Sequence, residues 1–314
     1  MMTQPVFVDT DISLGTPGAE IDDGAALIML MHAPTLDVRG VGTVYGNVPV
    51  EQATHNARRL LSRLGHEETP VGRGVGLPLI EDPSWFAEWQ SRYGPTPPWP
   101  GGDTLPTAVE LLIETVRAAP GEVSVLALGP LTNLAIAARL APDIVHSVRE
   151  VVAMGGSFGH AAPTAEFNVR CDPEAAHIVF SAGWPLRLLG LEVTRQVLFS
   201  RHDFARLPDD DRALRLLKSQ APGWIDVVEA EGWEEGGCAL HDAVAVAALL
   251  DETLITYVNA SVNVELADPA RRGITALKPL EEGQGNGTAR VAVAIEADRC
   301  HDLILSCLER KCPS

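Results

Sequence analysis

An apolar run near the start of the chain, Pro5-Val6-Phe7-Val8, ends in carboxylates: Asp9-Thr10-Asp11, followed further on by Asp22-Asp23. Far downstream stands a second acidic cluster, His241-Asp242. The apolar run reads as a short buried strand. Carboxylates at the C-terminal end of a parallel strand point into the crevice where open α/β sheets bind ligands. Several of them converging there repel one another unless a cation sits among them. An all-oxygen donor set selects a hard ion, Ca²⁺ or Mg²⁺. Each piece also has a plain structural role. Asp22-Asp23 opens the apolar stretch Ala25 to Met31, and Asp242 opens Ala243 to Leu250, so these residues would also serve as helix caps that complement the dipole. Taken together with Asp9 and Asp11 on a strand end, they point to a metal site.

The elements that must position these residues alternate along the chain. Strand-like runs cover Leu36 to Tyr45, Val123 to Leu128, Val148 to Met154, Leu186 to Leu191, Thr256 to Leu266 and Ala289 to Glu296. Helical patterns cover Val50 to Leu64, Leu105 to Ala118 and Pro173 to Ser181, with others opening at Leu131, near Asp242 and from about Asp298. That rhythm predicts an α/β fold: an open, mostly parallel, twisted sheet with helices on both faces. No repeat or low-complexity linker interrupts it, so residues 1–314 read as one domain. Two segments break the rhythm. Glu81 to Asp103 is rich in Pro and Trp, and Trp224 to Gly237 carries Trp224 and Trp233. Both read as irregular lids or binding loops, or as surface loops held down by their aromatics.

Composition narrows the function classes. With 314 residues and 46% hydrophobic content the chain can bury a large core. No apolar stretch reaches the roughly 18 residues of a membrane span, and Met1-Met2-Thr3-Gln4 leads straight into a strand with no cleavable segment. The five cysteines lack metal-ligand spacing and suit a reduced cytoplasm better than a disulfide framework. A formal charge of −18 opposes nucleic acid and anionic membranes as partners, and favours a neutral or cationic small molecule over a polyphosphate.

Several separated motifs, in order, resemble those of the calcium-dependent nucleoside hydrolases of the inosine-uridine preferring type. They are Val8-Asp9-Thr10-Asp11 with Asp22-Asp23, Val44-Tyr45-Gly46-Asn47, Ala127-Leu128-Gly129-Pro130-Leu131-Thr132-Asn133, Met154-Gly155-Gly156, Ala165-Glu166-Phe167-Asn168 with Asp172-Pro173-Glu174, and His241-Asp242. The resemblance covers most of the chain. It implies a Rossmann-like nucleoside hydrolase fold, a homodimer or homotetramer, and hydrolysis of ribonucleosides to base and ribose by a Ca²⁺-bound water. It further implies that Asp11, Asp23 and Asp242 ligate Ca²⁺ by side chain and Thr132 by its backbone carbonyl. Asp22 and Asn168 would hold the ribose 2′- and 3′-hydroxyls, Glu166 the 5′-hydroxyl, and Asn47 would orient the metal site. The alternation Glu166-Phe167-Asn168 is expected to put both polar side chains on one face, with Phe167 turned to the other.

The chemistry suits these residue types. Glycosidic cleavage passes through an oxocarbenium-like state that a carboxylate-rich floor stabilises. Asp11 is the candidate general base for the attacking water. His241, with the ordinary titration range of an imidazole, is the candidate acid for the departing base, although a structural histidine ahead of a helix is the alternative. Trp224 and Trp233 offer faces for a nucleobase. The chain departs from the family pattern in three places. Ile12 to Ile21 lengthens the loop between Asp11 and Asp22 and brings in Glu20, a candidate extra ligand. His160 stands where the family has an asparagine for the 5′-hydroxyl. Arg92-Tyr93-Gly94-Pro95-Thr96-Pro97-Pro98-Trp99 replaces a usual His-Gly segment. A non-catalytic nucleoside- or sugar-binding protein of the same fold stays open. So, less strongly, does a Mg²⁺-dependent phosphohydrolase, which would need a downstream lysine that this neighbourhood lacks.

Overall fold

The apolar run ahead of the first aspartates forms β1 (Gln4–Thr10), an interior strand, third from one edge, of a sheet with nine strands among the described residues. A computed structural model of the chain describes residues 3–80, 84–92, 105–159, 164–279, 289–310 and 312. After β1 come α1 (Asp22–His32), β2 (Leu36–Thr43), α2 (Val50–Leu64), β3 (Val71–Arg73), α3 (Ser84–Ser91), α4 (Ala108–Ala118), β4 (Ser124–Ala127) and α5 (Thr132–Leu140). Next are β5 (Glu150–Met154), α6 (Phe167–Cys171), α7 (Pro173–Ser181), β6 (Leu186–Leu189), α8 (Leu191–Thr194), β7 (Leu198–Phe199), α9 (Arg201–Arg206) and α10 (Arg212–Ala230). The last are β8 (Cys238–Ala239), α11 (His241–Leu250), β9 (Ile255–Val264), β10 (Thr275–Pro279), β11 (Ala289–Ile295) and α12 (Ala297–Leu308).

The sheet order is β10-β9-β11-β6-β5-β4-β1-β2-β3. Every neighbouring pair from β3 across to β11 is parallel, while β9 is antiparallel to both β11 and β10. From β1 the chain first builds outward through β2 and β3, then returns to the other side of β1 for β4, β5 and β6. That reversal leaves a crevice beyond the carboxyl ends of β1 and β4, where open α/β sheets place their ligands.

Side-chain alternation divides the interior into two layers. Val6, Val8, Leu126 and Val152 belong to the core under α1, α10, α11 and α12. Phe7, Val125, Ala127 and Val151 belong to the opposite core under α4, α5 and α7. Helices therefore cover both faces of a mostly parallel sheet, as the periodicity predicts.

Some elements differ from the sequence reading. Trp224 is not in an irregular segment: it lies on α10, a 19-residue helix, and is 3% exposed. Pro222 and Gly223 inside that helix hide its pattern, since both are poor helix formers. Part of the Pro- and Trp-rich segment is α3, and Thr275–Pro279 forms a strand that the sequence did not suggest. Cys307 and Cys312 are joined by a disulfide, which the sequence reading, favouring a reduced cytoplasm over a disulfide framework, did not suggest, whereas Cys171, Cys238 and Cys300 are buried and free. No helix of the described residues is long and apolar enough to cross a membrane.

Candidate active site

The aspartates at the end of β1 are buried and held individually. Asp9 is 1% exposed, and its Oδ1 accepts from Asn133 Nδ2 at 2.8 Å. The same amide also donates to the Thr43 carbonyl, so α5 is anchored to both β1 and β2 through one side chain. Burial pushes the Asp9 carboxyl up to about 7. Asp11 Oδ2 accepts from the Asn47 backbone N–H at 2.6 Å, while its Oδ1 is buried without a partner. The fit around Asp11 explains two motif glycines: a Cβ on Gly46 would lie 1.8 Å from Asp11 Oδ2, and one on Gly129 would lie 2.8 Å from Oδ1.

Asp22 and Asp23 begin α1 and Asp242 is near the start of α11, two helices that pack together in one layer. Carboxylate oxygens of Asp22, Asp23 and Asp242 all lie within 4.8 Å of one another, and all three residues are buried. The Thr10 hydroxyl donates to Asp23 Oδ1, and the Asn47 amide reaches Asp23 Oδ2 at 3.5 Å. Burial pushes Asp23 up to about 6. Burial, and then the charges of Asp22 and Asp23, hold Asp242 well above the ordinary carboxylate range. For Asp11, burial and then Asp23 do the same. Such a group is unfavourable without a compensating cation, and its donors are all oxygen. The Asp11 oxygen without a partner and the buried triad fit a hard divalent ion. The grouping differs from the expected one, because Asp22 belongs to the tight triad while Asp11 stands beside it.

Of these aspartates, Asp22 and Asp242 line a cavity of about 270 Å³, whereas Asp11 and Asp23 do not. Asn47, Glu166, Asn168, Trp224, Trp233 and His241 also line it, together with Glu20. Thr132 does not. It is fully buried on the first turn of α5, and its hydroxyl donates to Asp172 at 2.8 Å. Asp172 in turn caps α7 by accepting from the Ala175 N–H. Leu128, just ahead of the Gly-Pro-Leu-Thr-Asn run, does line the cavity, and its carbonyl accepts from Asn168 Nδ2 at 2.8 Å.

Glu166 to Asn168 is not extended. Glu166 caps α6, with its carboxylate accepting from the N–H groups of Gly156, Asn168 and Val169. The helical turn lets Phe167 line the cavity as well, instead of facing away. Burial raises the Glu166 pKa in spite of those three donors. The Asn168 amide nitrogen is committed to the carbonyls of Leu128 and Met154, which leaves its side-chain oxygen as the free acceptor.

His241 departs most from expectation. Its Nδ1 lies 2.8 Å from Thr194 Oγ1, whose own hydrogen goes to the Gly190 carbonyl. That arrangement assigns the proton to Nδ1 and leaves Nε2 bare. Burial, and then the nearby Arg195, pull the imidazole pKa down to about 3, so the resting side chain is neutral. Glu234 Oε1 stands 3.8 Å from Nε2.

Aromatic rings and two charged side chains complete the wall. Trp89 and Trp233 lie nearly parallel, with centroids 6.2 Å apart and 20° between planes, and Phe167 lies 5.2 Å from Trp89. Arg195 and Glu234 also line the cavity. Neither sits in a recognisable motif; only the fold brings them to the site. His160 and Trp99 lie outside the described residues.

A family model described as inosine-uridine preferring nucleoside hydrolase matches residues 6–302. The chain is 35% identical over 272 residues to a probable uridine nucleosidase of Oryza sativa subsp. japonica, covering 83% of this chain and 81% of that one. It is 31% identical over 322 residues to an inosine-uridine preferring nucleoside hydrolase of Leishmania major, covering 98% of each. Among solved structures, a purine-preferring ribonucleoside hydrolase from Gardnerella vaginalis superposes with a TM-score of 0.84 at 27% identity, over 98% of this chain and 99% of that one.

Proposed function

The chain belongs to the inosine-uridine preferring nucleoside hydrolase family, and on that premise we propose that its cavity hydrolyses the N-glycosidic bond of ribonucleosides with Ca²⁺ at the acidic floor. The observation that carries the reading is the buried triad of Asp22, Asp23 and Asp242 at the sheet's switch point, two of whose members, Asp22 and Asp242, line one cavity with Glu166 and Asn168. The side chains of those three aspartates and of Asp11, with the Leu128 carbonyl, would hold the cation. When bound, it supplies positive charge that lowers the pKa of water and orients it for attack.

The chain's own groups do the rest. Asp11, whose Oδ1 is buried without a partner, is the candidate base that takes a proton from the attacking water. Asp22, Asn168 and Glu166 offer acceptors to the sugar hydroxyls, and their negative character stabilises the cationic sugar as the bond breaks. Phe167, Trp89, Trp224 and Trp233 offer aromatic surface to the base. His241 faces the leaving group with a bare Nε2. It must first take up a proton, which the Glu234 carboxylate beside it favours, before it passes that proton on.

The test is release of reducing sugar from inosine and uridine. Activity should disappear with a chelator and return with Ca²⁺. Binding of nucleosides without sugar release would overturn hydrolysis in favour of a binding protein.

A further inference from the structure

The segment Ile12 to Ile21 is fixed into the core at many points. Ile12, Leu14 and Ile21 are 0 to 1% exposed, and Leu14 fills the space over Gly24, where a Cβ would come within 2.3 Å of its Cδ2. Asn56 on α2 donates to the Ile12 carbonyl and to Thr16 Oγ1, both at 3.1 Å, and is itself held by Gln52 at 2.8 Å. On the other side the Gly15 N–H donates to Gln220 of α10 at 2.8 Å. The loop closes on itself where the Ser13 hydroxyl donates to the Glu20 carbonyl at 2.7 Å.

This docking sets the position of one side chain. Glu20 lines the cavity beside Asn47, whose amide reaches Asp23. The charges of Asp22, Asp23 and Asp11 act on it, and its own acts on Asp242, all of them negative. Among the described residues, none of these five carboxylates is paired with a lysine or arginine. A segment that spends this much buried contact to add a fifth carboxylate to four would be self-defeating unless a cation gains from it. Affinity for Ca²⁺ rises with the number of charged oxygens around it.

Resting on the cation site proposed above, we infer that Glu20 is a fifth carboxylate of that site and sets its affinity for the divalent cation. It acts from outside the Asp22–Asp23–Asp242 triad, through its charge. The test is calorimetric titration of Ca²⁺ into chelator-stripped protein, beside the Ca²⁺-induced rise in Tm. Glu20→Gln, which keeps the shape and removes the charge, should weaken Ca²⁺ binding roughly 10–100-fold, the usual effect of losing a partner behind the direct ligands. Its cation-free Tm should be unchanged or higher, since one repulsion is gone. Glu20→Asp, which keeps the charge, should retain most of the affinity, and Glu20→Ala should behave as Glu20→Gln does. Glu20→Gln binding Ca²⁺ like the wild type overturns this inference alone; a raised KM with unchanged Ca²⁺ affinity would then assign Glu20 to the sugar. Wild-type protein that takes up no Ca²⁺ overturns the cation site and this inference together.

Discussion

Raising the pH of the cation-free protein should destabilise it. Asp9 is buried at the end of β1 with its Asn133 hydrogen bond as support, and burial pushes its carboxyl up to about 7 from an ordinary value of 3.8. Asp23 is raised to about 6, and Asp11, Asp22 and Asp242 are raised by burial and by one another. Between the unfolded and folded values, the folded chain holds protons that the unfolded chain has already lost. The stability these neutral carboxyls confer is therefore complete below about pH 4 and falls as the pH rises through about 7. For Asp9 alone, the gap from 3.8 to about 7 is roughly three units, or about 4 kcal/mol at about 1.4 kcal/mol per unit. That is a sizeable part of the roughly 5–15 kcal/mol that holds a domain folded. Urea denaturation of chelator-treated protein from about pH 5 to about pH 8 measures it, through the shift in midpoint at constant slope. Asp9→Asn cannot ionise but still offers Asn133 an acceptor, so its profile should be flatter by the Asp9 share. Saturating Ca²⁺ should restore the share that comes from Asp11, Asp22, Asp23 and Asp242, because the ionised forms bind it. Cation-free stability that is level or rises over this range would refute the reasoning, showing carboxylates already ionised and compensated.

Gly46→Ala should place a methyl 1.8 Å from Asp11 Oδ2, cost about 1–3 kcal/mol of stability and weaken Ca²⁺ binding; unchanged denaturation and titration would mean that Asp11 can move at no cost. His241→Ala should slow turnover of inosine far more than of an activated nitrophenyl riboside, whose leaving group needs no proton. Equal slowing of both would give the imidazole, bonded to Thr194, a purely positioning part. Intrinsic fluorescence should change when a ribosyl transition-state mimic binds, since Trp89, Trp224 and Trp233 line the cavity, and Trp233→Ala should raise KM. Kinetics untouched by replacing Trp89 and Trp233 would leave both as packing residues.

The frame of the molecule is legible in the sequence wherever the pattern is local. Helices Val50–Leu64 and Pro173–Ser181 fall on the predicted residues, and the strand behind Asp9 is marked by its apolar run. The carboxylates of the floor are legible too, because acidic residues gathered at the ends of buried elements repel one another unless a cation joins them. Thr132 shows the limit. Sequence places it in a distinctive loop, but which backbone oxygen of that loop meets the cavity depends on where β4 ends and α5 begins. That boundary leaves Leu128 at the cavity and sends the Thr132 hydroxyl to Asp172. His241 shows the same limit in electrostatics. Its type suggests an acid near neutrality, while its burial and its neighbour Arg195 make it neutral at rest.

The lengthened loop is the case in which local reading had least to offer. By itself, Ile12 to Ile21 carries Ser, Gly, Thr, Pro and Gly, the composition of a flexible turn, which on its own would loosen the placement of Asp11. The residues that fix it are Asn56 and Gln220, which are 44 and 205 positions from the atoms they hold. Neither belongs to a motif, and α10, which supplies Gln220, is itself hidden from the periodicity by Pro222 and Gly223. Once α2 and α10 are in place, the loop cannot swing and Asp11 stays seated between Gly46 and Gly129. What reads as an interruption of the acidic signature is a docked arm, and its last turn ends with Glu20 facing the cavity.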